Sequence, residues 1–254
     1  MKVMNIAFGK SAAKVALLAL ATGLGAAASA QGAASPGAGA QAARAIEVEI
    51  EAGEGYAHTK WFGPLPMKLT PQVAVWIETD SGTYVDTVYV TEASAKNRWK
   101  GGAKIRRPEA LPVWAHARGV KAADGLFMPD AATALPDAVS GATPKASFTK
   151  RLDFKAPLPA GRYRVRAEVN QSFDFNATWK DKLPAGDPRY NGVNGQPSLV
   201  YEGLLDLGSG QASVTLTPLG AGSATGSDGK SQAGLAGFDT ALQILRSIRA
   251  KALK

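Results

Sequence analysis

Apolar and polar residues alternate with period two along most of the middle of this chain. In Arg44-Ala45-Ile46-Glu47-Val48-Glu49-Ile50-Glu51 the apolar side chains fall on one side and the charges on the other, the pattern of a half-buried strand. Residues 73–78 and 83–90 are two further runs, and Asp80-Ser81-Gly82 between them supplies turn chemistry, so the pair reads as a hairpin. Residues 148–154, 162–170, 198–205 and 211–217 continue the series, separated by turns such as Pro157-Leu158-Pro159-Ala160-Gly161. This succession of strands, with no helical period among them, predicts an all-β fold. An antiparallel β-sandwich is expected, with a β-barrel as the alternative. Two connections, 91–147 and 171–197, are rich in Trp, Arg, Asn, Gly and Pro and carry neither period. Long connections of that kind inside a folded domain are where function concentrates.

The tail changes period. Phe238, Leu242, Leu245, Ile248 and Leu253 recur near helical spacing, which predicts an amphipathic helix over 236–254 with Arg246, Arg249 and Lys251 around it. Such a helix either packs on the sandwich or makes peripheral contact with an anionic membrane. The Gly/Ser-rich residues 220–235 read as the flexible linker that leads to it.

The N-terminus reads as an address. Lys2, Lys10 and Lys14 precede and flank the apolar stretch Val15–Ala21, and Ala28-Ser29-Ala30 is the small-x-small pattern that signal peptidase cuts. A membrane anchor needs about 20 strongly apolar residues, and this stretch dilutes into Gly and Ala before reaching that length. Residues 1–30 are therefore expected to be a signal peptide, 31–43 a disordered spacer and 44–219 the folded domain, exported to the periplasm.

Charge then changes less than it first suggests. The formal net charge is +8, but it sits at the two ends, in the three leader lysines and in five Lys/Arg against two Asp over 220–254. The domain between is only about +2, which is no nucleic-acid footprint. The chain has no cysteine, which excludes disulfides, thiol catalysis, thiolate metal sites and iron–sulfur clusters. With His58 and His116 as the only histidines, no metal site is expected. Gly-x-Ser-x-Gly, Walker A and Gly-x-Gly-x-x-Gly motifs do not occur. Ser147-x-x-Lys150 falls in a strand, where its two side chains do not share a helix face.

One segment carries chemistry. Asp137-x-x-Ser140-Gly141-Ala142-Thr143, bracketed by Pro136 and Pro144, resembles the acceptor motif of bacterial flavin-transfer systems. In those systems an FAD:protein FMN transferase moves FMN from FAD onto the last hydroxyl. A threonine hydroxyl is a poor nucleophile unaided and must be inserted into an enzyme that supplies a base and Mg²⁺. Small residues at 141 and 142 leave no bulk beside it, and the flanking prolines hold the segment off regular structure.

A wider resemblance accompanies the motif. Val75-Trp76-Ile77-Glu78, the run from Tyr84 to Val90, Arg107-Pro108, Leu111-Pro112-Val113-Trp114, Arg118-Gly119, the stretch Glu168 to Asn176 and Gly195-Gln196-Pro197-Ser198-Leu199-Val200-Tyr201 resemble the periplasmic proteins of domain-of-unknown-function family twenty-two seventy-one. The likeness spans roughly residues 44–217. It implies a non-enzymatic electron carrier that works with a flavin transferase and a membrane-bound PepSY-type reductase. With FMN on Thr143, the aromatic rings of Trp99, Trp114, Trp179 and Tyr190 are candidates to stack on the flavin. Arg106, Arg107 and Arg118 are candidates to offset phosphate or reduced-flavin charge. The alternative is a flavin-free binding or structural module of the envelope that uses the same aromatic loops.

The cleavage pattern makes a direct prediction. The mature chain is expected to begin at Gln31, and N-terminal sequencing of protein from the cell envelope checks it. A sequence starting at Met1, or recovery from the cytoplasm alone, is the contrary result.

Overall fold

The computed structural model describes residues 42–254 apart from 100, 101, 103, 104, 138, 185, 191 and 192. The expected signal peptide and residues 31–41 of the expected spacer lie outside the described residues. The fold is an all-β sandwich of open sheets, not a closed barrel. One sheet has four strands in the order β10 (Ser213–Thr215), β12 (Leu245–Leu253), β1 (Ala43–Ala52) and β7 (Phe148–Leu158). The other has six, β11 (Thr217–Ala221), β9 (Leu199–Asp206), β8 (Arg162–Asn170), β4 (Gln72–Thr79), β5 (Tyr84–Thr91) and the two-residue β6 (Ser140–Gly141). All neighbours are antiparallel except β5 and β6. A separate hairpin pairs β2 (His58–Phe62) with β3 (Leu65–Leu69).

Period two places the first core between the sheets. Ile46, Val48 and Ile50 of β1 meet Val73, Val75 and Ile77 of β4 and Val165, Ala167 and Val169 of β8. The alternate side chains of the six-stranded sheet point the other way, and Ala74, Trp76, Val90 and Val200 head a second core on its outer face. That core is closed by the long connection 91–147. The connection is not without structure, as it forms the short helices α1 (Glu92–Lys96) and α2 (Pro112–Ala117) and contributes Trp99, Leu111, Val113, Trp114, Met128 and Leu135.

The tail is a correction. Residues 236–254 do not form an amphipathic helix. After a single 3-10 turn at Thr240–Gln243 they run as β12, an interior strand between β10 and β1. The helical spacing came from a bulge: Ile248 faces Ile50 and Ser247 faces Glu51, but Leu245 faces Ala52. The extra residue, Arg246, puts Leu245 and Ile248 on the same buried face although they are three apart. From Ile248 onward the alternation is strict, with Ala250 and Ala252 inside and Arg249 and Lys251 outside. Arg246 pairs with Glu51 at 2.9 Å and Arg249 with Glu49 at 3.8 Å, so these two cations answer β1, and the helix from which the membrane contact was expected is replaced by a strand.

Residues 220–235 are not a free linker either. β11 runs into them, and Ala221 and Gln232 exchange backbone hydrogen bonds of 2.9 and 2.7 Å. Their glycines permit close approach rather than flexibility. A Cβ at Gly220 would stand 2.2 Å from the Gln232 carbonyl oxygen and one at Gly222 would stand 2.4 Å from Ser198 Oγ. The domain therefore does not stop at 219. Its last strand pairs with its first along nearly their whole length, interrupted by the bulge at Arg246.

Ile248 is 1% exposed and sits at the centre of that pairing. Ile248→Ala is expected to lower stability by about 2–5 kcal/mol, read from the urea midpoint. A change within experimental error would mean that the tail is not part of the core.

Candidate functional site

The acceptor-like segment, 136–144, lies where the long connection returns across the outer edge of the six-stranded sheet. Leu135 is buried in the second core, and its N–H donates to the Ala95 carbonyl at 3.2 Å. Pro136, which has no N–H of its own, offers its carbonyl to the N–H groups of Val139 and Ser140, both at 3.2 Å. That turn lays Ser140 and Gly141 parallel to β5, opposite Val90 and Thr91, and the Val90 N–H donates to the Val139 carbonyl at 2.9 Å. Ala138 lies outside the described residues.

Beyond Gly141 the chain passes to the side of the first core. The Tyr89 hydroxyl is shared between the Gly141 carbonyl at 3.4 Å and the Ala142 carbonyl at 3.3 Å, and the Tyr56 hydroxyl donates to the Pro144 carbonyl at 2.9 Å. Burial pushes the Tyr56 phenol up to about 12 and raises that of Tyr89 as well, so both remain donors at any physiological pH. Lys150 adds an ammonium over the Tyr89 ring, 4.7 Å from its centroid.

Thr143 is half-buried, and its hydroxyl donates to the Pro71 carbonyl at 3.1 Å. A carbonyl is not a catalytic base, so the hydroxyl rests unactivated. Asp137, with 87% of its side chain exposed, pairs with Lys96 of α1. Their mutual hydrogen bond raises the lysine's pKa and lowers the aspartate's. A Cβ on Gly141 would meet nothing within 4 Å, and Ala142 is exposed. The Ser140 hydroxyl is buried and has no hydrogen-bond partner among the described residues.

The structure does not bring the expected ring-stacking residues to this segment. Trp114 is 1% exposed in the second core, and its indole N–H donates to Thr87 Oγ1 at 3.0 Å. Arg118 lies over the Trp114 ring at 5.2 Å and reaches the Thr133 carbonyl. Trp99 is covered by Arg107, whose guanidinium also bonds Ser172 Oγ and Asn194 Oδ1. Arg106 pairs with Asp124 at 2.7 Å and with two backbone carbonyls. Trp179 packs on Phe238, and Tyr190 is exposed on the 171–197 connection. Trp114 and Arg118 thus hold the cap on the outer face, while Gly141 to Pro144 bind Tyr89, Tyr56 and Pro71 of the first-core side.

A residue that period and motif left unmarked fixes this arrangement. Glu168 of β8 is fully buried. Helix α2 has Leu111 at its N-cap, which offers no capping side chain, and Pro112 at its first position, which needs none. Glu168 caps it from across the sheet. Its Oε1 accepts from the Val113 N–H at 3.2 Å and from Ser198 Oγ at 2.6 Å, and its Oε2 accepts from the Trp114 N–H at 2.8 Å. Desolvation outweighs these donors and pushes the carboxyl up to about 7. The only sequence signal was a charge where β8 is otherwise becoming apolar, Ala167-Glu168-Val169.

The sign of the resulting pH dependence follows. The unfolded carboxyl ionises near 4.5 and the folded one near 7, so between those values the folded state holds the extra proton. Stability is expected to fall as pH rises through that window and to level off above it. Burial raises Glu109 and Asp174 in the same sense, so Glu168→Gln is expected to flatten the slope without abolishing it. Urea midpoints at pH 5 and pH 8 measure it; an unchanged slope in the variant would show that Glu168 stays ionised.

Comparison with protein-family models, with curated proteins and with solved structures finds no match, and the reading of the site rests on its residues and geometry.

Proposed function

We propose that this protein is an extracytoplasmic flavin carrier, with FMN joined through its phosphate to Thr143. It relays electrons between a membrane-bound PepSY-type reductase and an acceptor beyond it. The observation that carries the reading is the coincidence of an acceptor-like sequence with an accessible sheet edge. Asp137, Ala142 and the open side of Gly141 face solvent, and the hydroxyl that must react is tied down by one hydrogen bond.

Attachment on this reading is a phosphoryl-group transfer. Thr143 Oγ1 attacks the FMN phosphorus of FAD, the Oγ1–P bond forms, the pyrophosphate P–O bond breaks and AMP leaves. The hydroxyl proton goes to a base of the FAD:protein FMN transferase, since Thr143 has only a carbonyl partner here. Thr143 is the residue that holds the group, and bound flavin supplies one- and two-electron transfer. The chain's own part is positioning. Lys96 steers Asp137, while Tyr89 and Tyr56 hold the carbonyls on either side of Thr143. Trp114 and Arg118 act through the scaffold rather than on the flavin.

Coexpression with an FMN transferase tests the reading. In-gel flavin fluorescence and a mass increment matching FMN are expected for the wild type and for Thr143→Ser. Thr143→Ala is expected to lose both, at a stability cost of about 1 kcal/mol for the missing hydrogen bond. Covalent flavin on the alanine variant would remove Thr143 as the attachment site.

A further inference from the structure

The β2–β3 hairpin stands apart from both larger sheets and is exposed without interruption from Trp61 to Lys68. Its two-residue turn is Gly63-Pro64, with Gly63 at a φ of 59°, the positive value that the first central residue of a II′ hairpin requires. Around the turn, Trp61 is 62% exposed and Leu65 69%, with Phe62 and Met67 beside them. Cross-strand pairing puts Trp61 opposite Pro66 on one face and Phe62 opposite Leu65 on the other. On the second face Phe62 meets the Phe173 ring in a T-shaped contact with centroids 5.4 Å apart. Water is an unfavourable setting for such a contiguous apolar tip, and a patch of this kind marks an interaction surface.

Charge identifies the occupant. Residues 58–70 contain no acid, and Lys60 and Lys68 sit just behind the tip, one on each strand. Lys60 leans over the Phe173 ring at 5.6 Å, and Phe173 packs on Phe175, which shares a shallow depression with Lys180 and Lys182, Asp181 between them. An apolar tip led by a tryptophan, with a collar of lysines, is the pattern of a segment that enters the headgroup region of a bilayer. The rings and Leu65 sit among the upper acyl chains while the lysine ammonium groups stay at phosphate level. We infer that the β2–β3 hairpin docks this protein on an anionic phospholipid surface. The root of the hairpin is the Leu69–Pro71 stretch, whose last carbonyl holds the Thr143 hydroxyl, so the docking hairpin and the segment with Thr143 are joined at that root. The inference stands whether or not flavin is attached.

Co-sedimentation of the protein with vesicles tests it, using phosphatidylcholine alone and phosphatidylcholine mixed with phosphatidylglycerol. Binding is expected on the mixed vesicles, weakened by salt, and weaker by about tenfold or more on the neutral ones. Tryptophan emission is expected to shift to the blue on binding, and Trp61→Phe to lose that shift while still binding. Trp61→Ser with Leu65→Ser should lower affinity by about tenfold or more, and Lys60→Glu with Lys68→Glu should erase the preference for anionic lipid. Both pairs lie on the exposed hairpin, and an unchanged melting temperature confirms that they fold. Absence of vesicle binding, or binding that survives the Trp61/Leu65 variant, overturns the inference. So does a concentration-dependent dimer that this variant disperses, since the tip would then belong to a second copy of the chain.

Discussion

A strand buried on both faces must be covered on both faces, and β4 is such a strand. Val73 to Glu78 are six consecutive buried residues. On one side the four-stranded sheet answers them, in the manner of any sandwich. On the other side no second sheet lies among the described residues, and the chain leaving β5 supplies the cover itself. It does so with α1, α2 and the turns around them, reinforced by the glycine-rich stretch after β11. It must then return to begin β7 in the opposite sheet, and the short way back crosses the free edge of β5. The acceptor-like segment occupies that crossing. Its position is a consequence of how the outer face of β4 is kept dry.

The cover is held by polar contacts as much as by apolar ones. Glu168 ties the first turn of α2 to β8 and to Ser198, the residue just before β9, and Gly222 leaves room for it: a Cβ there would come within 2.9 Å of Oε1. Farther along the same face the Trp76 indole donates to Glu78 at 2.7 Å, and Arg166 bridges Glu78 and Glu202. A buried group of this sort adds little net stability, but removing one member leaves the others unpaired. The tryptophans and arginines that crowd the 91–147 connection belong to this system. Arg107 on Trp99 and Arg118 on Trp114 are cation–ring stacks that fasten an irregular cap to a sheet, a task that needs large flat side chains and few hydrogen-bonding partners.

That accounts for what could and could not be read from the residues in order. β1, which has one wet face, and the first half of β8 show period two, and that pattern places both strands to within a residue or so. β4 reads as an unbroken apolar run because both its faces are dry, which discloses a strand but not what covers it. The cap has no period because its apolar residues are spaced by the sheet beneath them, so it looked like open loop. The Gly/Ser stretch at 220–235 has the composition of a linker, and composition does not distinguish glycine chosen for freedom from glycine chosen for closeness. In the tail one bulged residue, Arg246, turned period two into something near three and a half. The hairpin tip was overlooked for another reason: Trp61-Phe62-Gly63-Pro64-Leu65-Pro66-Met67 has turn residues at its centre, but seven residues are too few to show a period.

The acceptor-like motif was legible as chemistry but not as a place. Its place matters to the proposed reading, because on that reading the segment has to leave its own fold to enter another protein's active site. An interior strand such as β12, paired on both sides, cannot do this without opening the sheet. The two residues of β6 add a single row to an edge, and the contacts that hold 137–144 among the described residues include an ion pair with an exposed aspartate, a few backbone bonds, the hydroxyls of Tyr89, Tyr56 and Thr143, and the packing of Val139 on the second core. Segments of this kind open locally at a small fraction of the global unfolding free energy. Leu135 on one side and Phe148 on the other remain bound in the two cores, so release of the segment is bounded by anchors. The flanking prolines keep it from regular pairing when it closes again. On the proposed reading the motif has to be both presented and retrieved, and an edge that the fold could do without suits that task.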